Sequence, residues 1–336
     1  MDVTTTVYVT VAVALIFDVI NGFHDAANSI ATVVSTRVLS PRLAVLWATI
    51  FNFVALFVFH QGVANTISKI VTIQASDHAF VWVVVCGLFG AIVWNLLTWW
   101  WGLPSSSSHA LIGGLSGAGI AYSGIGVLNT AKLYPTLEFI ILAPMIGLIL
   151  GGIIMFLVYW IFRRMRPRKV DRVFRVGQLF SAAAYSIGHG GNDAQKTVGV
   201  IWAVMIAGGM LPESAKAAPF WVILASYSAM AFGTALGGQR IIKTMGMGIT
   251  SLKPAGGFCA NLAGAITLFG ATELKIPVST THTITGAIVG VGSVTKLRGI
   301  RWGLATRIVW AWIFTIPAAG AVGAGTLYLA RLLHAW

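Results

Sequence analysis

From Val7 to Ile20 the chain reads VYVTVAVALIFDVI, and apolar stretches of this kind recur along its length. About 20 consecutive apolar residues carry an α-helix across the hydrocarbon core of a bilayer. Only 9% of the 336 residues are charged, 57% are hydrophobic, and the mean hydropathy is +0.85. Soluble domains carry about 25% charged residues, so this chain has too few to build a water-facing surface, and most of its exterior must face lipid. The first stretch has no basic segment before it and no small-residue cleavage site after it. It runs directly into the polar motif NGFHDAAN, so it reads as a retained helix and not a signal peptide.

The net charge of +13 would suggest nucleic acid in a soluble protein. Here the basic residues collect between apolar segments, as the positive-inside rule requires, and no nucleic-acid partner is expected. The densest run, RRMRPRKVDRVFR at 163–175, holds seven basic residues and one acid. It divides the chain into a first transmembrane repeat (1–162), a basic cytoplasmic linker (163–178) that can also meet anionic lipid headgroups, and a second repeat (179–336). Cys86 and Cys259 both sit in apolar segments and form no CxxC pair, so they read as small buried hydrophobes.

The two halves repeat each other. NGFHDAAN at 21–28 returns as HGGNDAQK at 189–196, and PSSSSHALIGG at 104–114 returns as PVSTTHTITGA at 277–287. Asp25 and Asp193 stand 168 residues apart; Pro104 and Pro277, like His109 and His282, stand 173 apart. Two motif pairs in one order at nearly one offset indicate duplication. With the 163–175 run inside, segments near 7–36, 43–60, 79–101, 104–123 and 137–162 give five crossings, or three if 79–123 is a re-entrant hairpin. Either count is odd, which puts the N-terminus outside and inserts the second half upside down, the inverted-repeat plan common among secondary transporters. Arg37, Arg42, Arg240, Lys243, Lys253, Lys296, Arg298 and Arg301 then fall on the inner side. The expected fold is an all-α polytopic membrane protein in the cell membrane, with two inverted-topology repeats, broken helices and paired re-entrant hairpins.

Carboxylates inside apolar segments are costly, about 2.5–3.5 kcal/mol each at the bilayer centre on insertion scales. Asp25 and Asp193 are therefore expected to face a cavity or a partner. The neighbouring Gly22, Gly188, Gly190 and Gly191 can interrupt a helix, so 21–28 and 188–197 are expected to be unwound. Asp18, one turn earlier, has no counterpart in the second half and reads equally as a proton site or a packing acid. Pro104 and Pro277 each precede a hydroxyl-rich run that can cap a helix. A helix N-terminus carries about half a positive charge and unpaired N–H donors, which makes an anion site where it faces a cavity. Ser105, Ser106, Ser107, Ser108, Ser279, Thr280 and Thr281 are thus candidate ligands of a small oxyanion held between two opposed N-termini. His109 and His282 close the two runs and His24 adjoins Asp25; each can donate to an anion or relay a proton. His189 and Asp193 are spaced to share a helix face, but two groups do not define a metal site. Lys196 aligns with Asn28, so an ammonium in one half replaces an amide in the other and can stand where a bound cation would sit.

GFHDAANSIATVVSTRVL (22–39) and SIGHGGNDAQKTVGVI (186–201), together with PSSSSH and PVSTTH, resemble the paired signatures and hairpins of the inorganic phosphate transporter (PiT) family over essentially the whole chain. The FHD and AQK variants resemble its bacterial, low-affinity, proton-coupled branch. The resemblance implies symport of inorganic phosphate with a coupling cation (proton, sodium or a divalent metal carried as a metal–phosphate complex) and no tightly held cofactor. It implies that Asp25, Asn28, Asn192 and Asp193 are coupling-ion or substrate ligands and that Gln195 lies beside the site. His24 and Lys196 depart from the sodium-coupled members. A homo-oligomer is compatible with this class. Arsenate and sulfate carriers share the same physics. A channel is disfavoured by duplicated broken helices, and a hydrolase by Ser–His spacing that occurs twice where one nucleophile with one base is needed.

Overall fold

The computed structural model describes residues 2–72, 79–237, 239–242, 244–245 and 249–333. These form twelve α-helices: α1 (Val3–Ser35), α2 (Pro41–Val54), α3 (Gly62–Ile67), α4 (Ala79–Trp101), α5 (Ser107–Ser123), α6 (Thr130–Phe162), α7 (Pro167–Ala207), α8 (Phe220–Leu236), the single turn α9 (Gln239–Ile242), α10 (Pro254–Glu273), α11 (Thr280–Lys296) and α12 (Trp302–Leu332). Among the described residues there is no strand, only an isolated bridge between Val71 and Leu128. Five helices, α1, α4, α6, α10 and α12, are long and apolar enough to cross a membrane.

The surface confirms which solvent the fold answers to. Ile141, Ile149, Phe156 and Trp160 of α6 and Trp310, Ile313 and Phe314 of α12 are exposed, while Asp18, Asp25, Asn192, Asp193 and Lys196 are buried. Water would favour the reverse distribution; lipid around the rim and polar groups paired inside account for it.

The two halves list their helices in the same order. A long helix, a short apolar one, a helical hairpin and a second long helix appear as α1, α2, α4–α5, α6 and again as α7, α8, α10–α11, α12. They are interwoven. α1 packs on α8 and α7 on α2; α5 lies along α12 and α11 along α6. The last two contacts use glycine. A side chain at Gly290 or Gly286 would meet the backbone of Leu148 or Pro144 in α6, and one at Gly113 or Gly117 would meet Ile316 or Gly320 in α12. Small residues let helix backbones approach and gain dispersion contacts in lipid, where no hydrophobic drive exists between helices. α1 and α7 cross antiparallel. Thr36 bonds Gln178 at 2.9 Å and Ser29 approaches His189 at 3.3 Å, so the pairing partner rises in number along α7 as it falls along α1.

One expectation is corrected. Residues 21–28 and 188–197 are not unwound: both segments lie inside continuous helix, and none of their glycines has a positive φ. Those glycines serve close packing instead. Gly22 sits against the backbone of Met230 and Gly233, Gly190 against Asn52, and Gly191 under the Phe59 ring. Most of the basic segment 163–178 is helical. A turn at 163–166 leads into α7, which starts at Pro167, a residue whose fixed φ suits the first helical position. Arg175 bonds Asp171 at 2.9 Å and donates to the carbonyl of Arg37 at 3.0 Å. The start of α7, the end of α1 and the 249–253 segment, whose Ile249 accepts from Arg301 N at 3.0 Å, gather their basic residues at one end of the bundle. Lys243 lies outside the described residues.

Candidate functional site

The site lies where the crossing of α1 and α7 meets the tips of the two hairpins. Each tip is built in the same way. Ser106 Oγ accepts from His109 N at 3.2 Å at the start of α5, and Ser279 Oγ accepts from His282 N at 3.2 Å at the start of α11. These are helix N-caps, each satisfying one orphan donor of a first turn. The two N-termini touch: Ser108 Oγ donates to Val278 O at 3.1 Å, and the rings of His109 and His282 stand edge to face at 4.5 Å between centroids. His282 also stacks on Trp312 at 3.8 Å. Two positive helix ends therefore converge on one place.

α1 supplies one wall. His24 Nδ1 lies 2.7 Å from Asp25 Oδ1, and His24 Nε2 lies 3.1 Å from Thr98 Oγ1. Ser105 Oγ donates to the same Thr98 hydroxyl at 2.8 Å. Asn28 Nδ2 donates to Thr281 Oγ1 at 2.8 Å and to Thr280 Oγ1 at 3.3 Å, so α1 of the first repeat is tied to the tip of the second. α7 supplies the other wall. Lys196 Nζ donates to Asp193 Oδ1, to Ser108 Oγ and, at 2.9 Å, to Val278 O. Thr280 Oγ1 donates to Asp193 Oδ2 at 3.3 Å, and His189 Nε2 stands 3.3 Å from the same oxygen. A buried ion pair holds only when its remaining donors and acceptors are also met, and Lys196 meets that condition with three oxygens.

Apart from the half-buried Trp312, none of these side chains is more than 4% exposed, so the cluster is closed to bulk water in this conformation. It still has unused capacity: Ser107 Oγ, His109 Nδ1 and His282 Nε2 are buried without a hydrogen-bond partner. The unspent Ser107 hydroxyl beside an ammonium and two helix N-termini suits an anion rich in acceptor lone pairs. The same cluster has an anionic side. Asp25, His189 and Asp193 each place a ligand atom within 4.8 Å of the others, a grouping that could hold a metal ion.

Of the residues singled out in the sequence, the structure brings together His24, Asp25, Asn28, Ser105 to Ser108, His109, Asp193, Lys196, Ser279, Thr280, Thr281 and His282. Two take other roles. Asn192 Nδ2 bonds Thr272 Oγ1 at 3.0 Å and Ile276 O at 3.2 Å, and its Oδ1 accepts from Val278 N at 3.1 Å, so it fixes the strap leading into the second tip. Gln195 Oε1 accepts from Val63 N at 3.0 Å and Ala64 N at 3.4 Å, which places it at the start of α3, away from the tips. Thr98 and Tyr185, whose hydroxyl donates to Thr280 O at 3.0 Å, escaped sequence reasoning: Thr98 is a lone hydroxyl in an apolar run, and Tyr185 lies just outside the 186–201 motif.

The chain matches the model of the phosphate transporter family over residues 21–170 and again over 162–323. It is 51% identical over 329 residues to a probable low-affinity inorganic phosphate transporter of Rhizobium meliloti (strain 1021), covering 96% of each chain. It is 44% identical over 321 residues to the like-named protein of Bacillus subtilis (strain 168), covering 95% of this chain and 96% of that one. Its fold matches a solved structure titled as the sodium-dependent phosphate transporter, with a TM-score of 0.90 at 24% identity over 98% of this chain and 99% of that one. Two family matches, one per half, and relatives of this identity over nearly full length establish that the chain belongs to the phosphate transporter family, as an integral membrane protein whose task is transport and not catalysis.

Proposed function

We propose that this phosphate transporter is a symporter driven by protons, with phosphate held between the N-termini of α5 and α11 and between the crossing helices α1 and α7. The observation that carries the reading is the place of Lys196. Its ammonium bonds a carboxylate oxygen of Asp193, the hydroxyl of Ser108 and the carbonyl of Val278. Carboxylate, hydroxyl and carbonyl oxygens are the ligand set of a hard cation. A resident ammonium fills that set and supplies the positive charge that a transported sodium ion would otherwise bring. The charge balance per cycle then falls to protons. Phosphate engages the Ser107 hydroxyl, the free N–H groups of the two tips and Lys196. Asp25 and Asp193 hold the cationic side of the site in register.

A second reading has its own support. The Asp25, His189 and Asp193 grouping suits a divalent cation carried together with phosphate as a neutral complex, in which case metal and anion enter as one cargo. Arsenate, close to phosphate in charge and geometry, fits the same donors.

The antiparallel crossing of α1 and α7 supports an inverted relation between repeats 1–162 and 179–336. The gathering of Arg37, Arg175 and Arg301 at one end supports a cytoplasmic side there and an N-terminus on the other side. Uptake of labelled phosphate into proteoliposomes under imposed proton, sodium and magnesium gradients tests the coupling. Accumulation that follows the proton gradient alone supports it, and accumulation that requires sodium removes it.

A further inference from the structure

Below the phosphate site, α1 carries a second carboxyl that the arrangement above does not use. Asp18 is fully buried, and neither of its oxygens has a hydrogen-bond partner. Its polar neighbours are Asn21, on its own helix, and Thr197 of α7, both placed to donate to the carboxyl when it is ionised. Both are themselves incomplete: Asn21 Oδ1 and Thr197 Oγ1 are also buried without partners. Three adjacent side chains thus hold four oxygens with bonding capacity left unspent.

Two features of the surroundings select what would complete them. The charged groups facing Asp18 are Asp193 and Lys196 of α7, and those two are already tied to one another. Tyr227 faces it from α8. α4, which also packs on α1, has no acidic or basic residue. Asp18 therefore has no cation of its own, and Asp193 repels a second negative charge. A metal ion here would gain one carboxylate and two neutral oxygens while standing near the Lys196 ammonium, which is a poor exchange for its hydration shell. A proton carries no such requirement. On Asp18 it turns an orphan acceptor into an O–H donor, and the amide and hydroxyl beside it are there to accept it.

Resting on the proton-coupled reading given above, we infer that Asp18, with Asn21 and Thr197, is the site where the coupling proton is carried while phosphate occupies the hairpin tips. Thr197 lies one turn beyond Asp193 on α7, so the proton site and the Asp193–Lys196 pair share one helix. A movement of α7 against α1 opens or closes both together, which is the condition for carrying the two cargoes in one step.

The test uses Asp18→Asn and Asp18→Glu in the full-length protein reconstituted in proteoliposomes, with three readouts. These are accumulation of labelled phosphate driven by an acid-outside gradient, exchange of internal against external phosphate at equal pH, and the pH profile of that exchange. The expected result is that Asp18→Asn loses gradient-driven accumulation but retains exchange, with a flattened pH profile, and that Asp18→Glu recovers accumulation. Full gradient-driven accumulation by Asp18→Asn overturns the inference. So does loss of exchange together with accumulation in both variants, which marks Asp18 as a packing residue. A parent protein that accumulates phosphate only with sodium overturns the proton-coupled reading itself, and a parent driven by protons with an indistinguishable Asp18→Asn overturns this inference alone.

Discussion

Lys196 of the second repeat donates to Ser108 at the hairpin tip of the first. That bond joins the two halves at the point where the anion and cation sides of the site meet. The same ammonium pairs with Asp193, so one side chain joins the two repeats and satisfies a buried carboxylate.

Removing it separates these roles. Lys196→Met leaves Asp193 buried without its partner and is expected to lower stability by about 3–5 kcal/mol, read from thermal unfolding in detergent. Adding Asp193→Asn to it recovers part of that stability, because the unpaired charge is gone. Lys196→Asn restores the amide found at the aligned Asn28 and is expected to make phosphate uptake sodium-stimulated. Uptake that keeps the parent's rate and the parent's response to sodium would count against Lys196 as the resident cation.

Asp25 pairs with His24, and Asp193 with Lys196 and His189. Asp25→Asn and Asp193→Asn keep size and shape while removing charge. Each is expected to reduce phosphate uptake by roughly tenfold or more, about 1.4 kcal/mol or more of lost coupling or binding. Membrane insertion and yield of Asp25→Asn should stay near those of the parent, whereas Asp193→Asn leaves the buried Lys196 ammonium without its carboxylate and is expected to cost about 3–5 kcal/mol of stability, so its uptake is compared per folded protein. Magnesium-dependent protection from unfolding, if the Asp25–His189–Asp193 group binds metal, disappears in both variants.

Ser106 and Ser107 of the first tip differ in what they bond. Ser106 caps α5, so Ser106→Ala is expected to cost about 1 kcal/mol of stability, with Ser279→Ala costing the same at α11. Ser107 has a buried hydroxyl with nothing to bond, so Ser107→Ala costs no folding interaction. Its expected effect is on phosphate: a lost hydrogen bond to a charged ligand is worth about 1.5–3 kcal/mol, read as a higher KM for uptake. Equal stability losses at Ser106 and Ser107 would remove this division.

Glycine spacing holds the repeats together. Gly290→Leu and Gly117→Leu push a side chain into the backbone of Leu148 and Gly320 respectively. Each is expected to cost about 1–3 kcal/mol from overpacking. Gly325→Ala, where an added methyl meets nothing, serves as the control and should leave the unfolding temperature unchanged.

Much of this organisation is legible locally. Apolar run lengths identify α1, α4 and α6, and Pro with a hydroxyl-rich run after it marks the starts of α5 and α11, because helix length, capping chemistry and hydropathy are properties of adjacent residues. The glycines of 21–28 and 188–197 mislead for the same reason. A glycine reads alike whether it breaks a helix or admits a neighbour, and only Met230, Asn52 and Phe59, distant in sequence, show that it does the latter. Gln195 sits in a motif yet serves the N-terminus of α3, a partner 131 and 132 residues away.

By itself, the sequence determined the solvent, the duplication and the supply of carboxylates, hydroxyls and imidazoles, since these follow from composition and from motif pairs at a near-constant offset. Only the tertiary structure decided which of them meet. Asn28 finds Thr281 across 253 residues, Lys196 finds Ser108 across 88, and His109 meets His282 because the hairpin of each half packs against the last helix of the other. The physical reason is that lipid offers buried polar groups no water to fall back on, so each must find its partner through helix packing, and that packing is fixed by contacts between helices that are not neighbours along the chain.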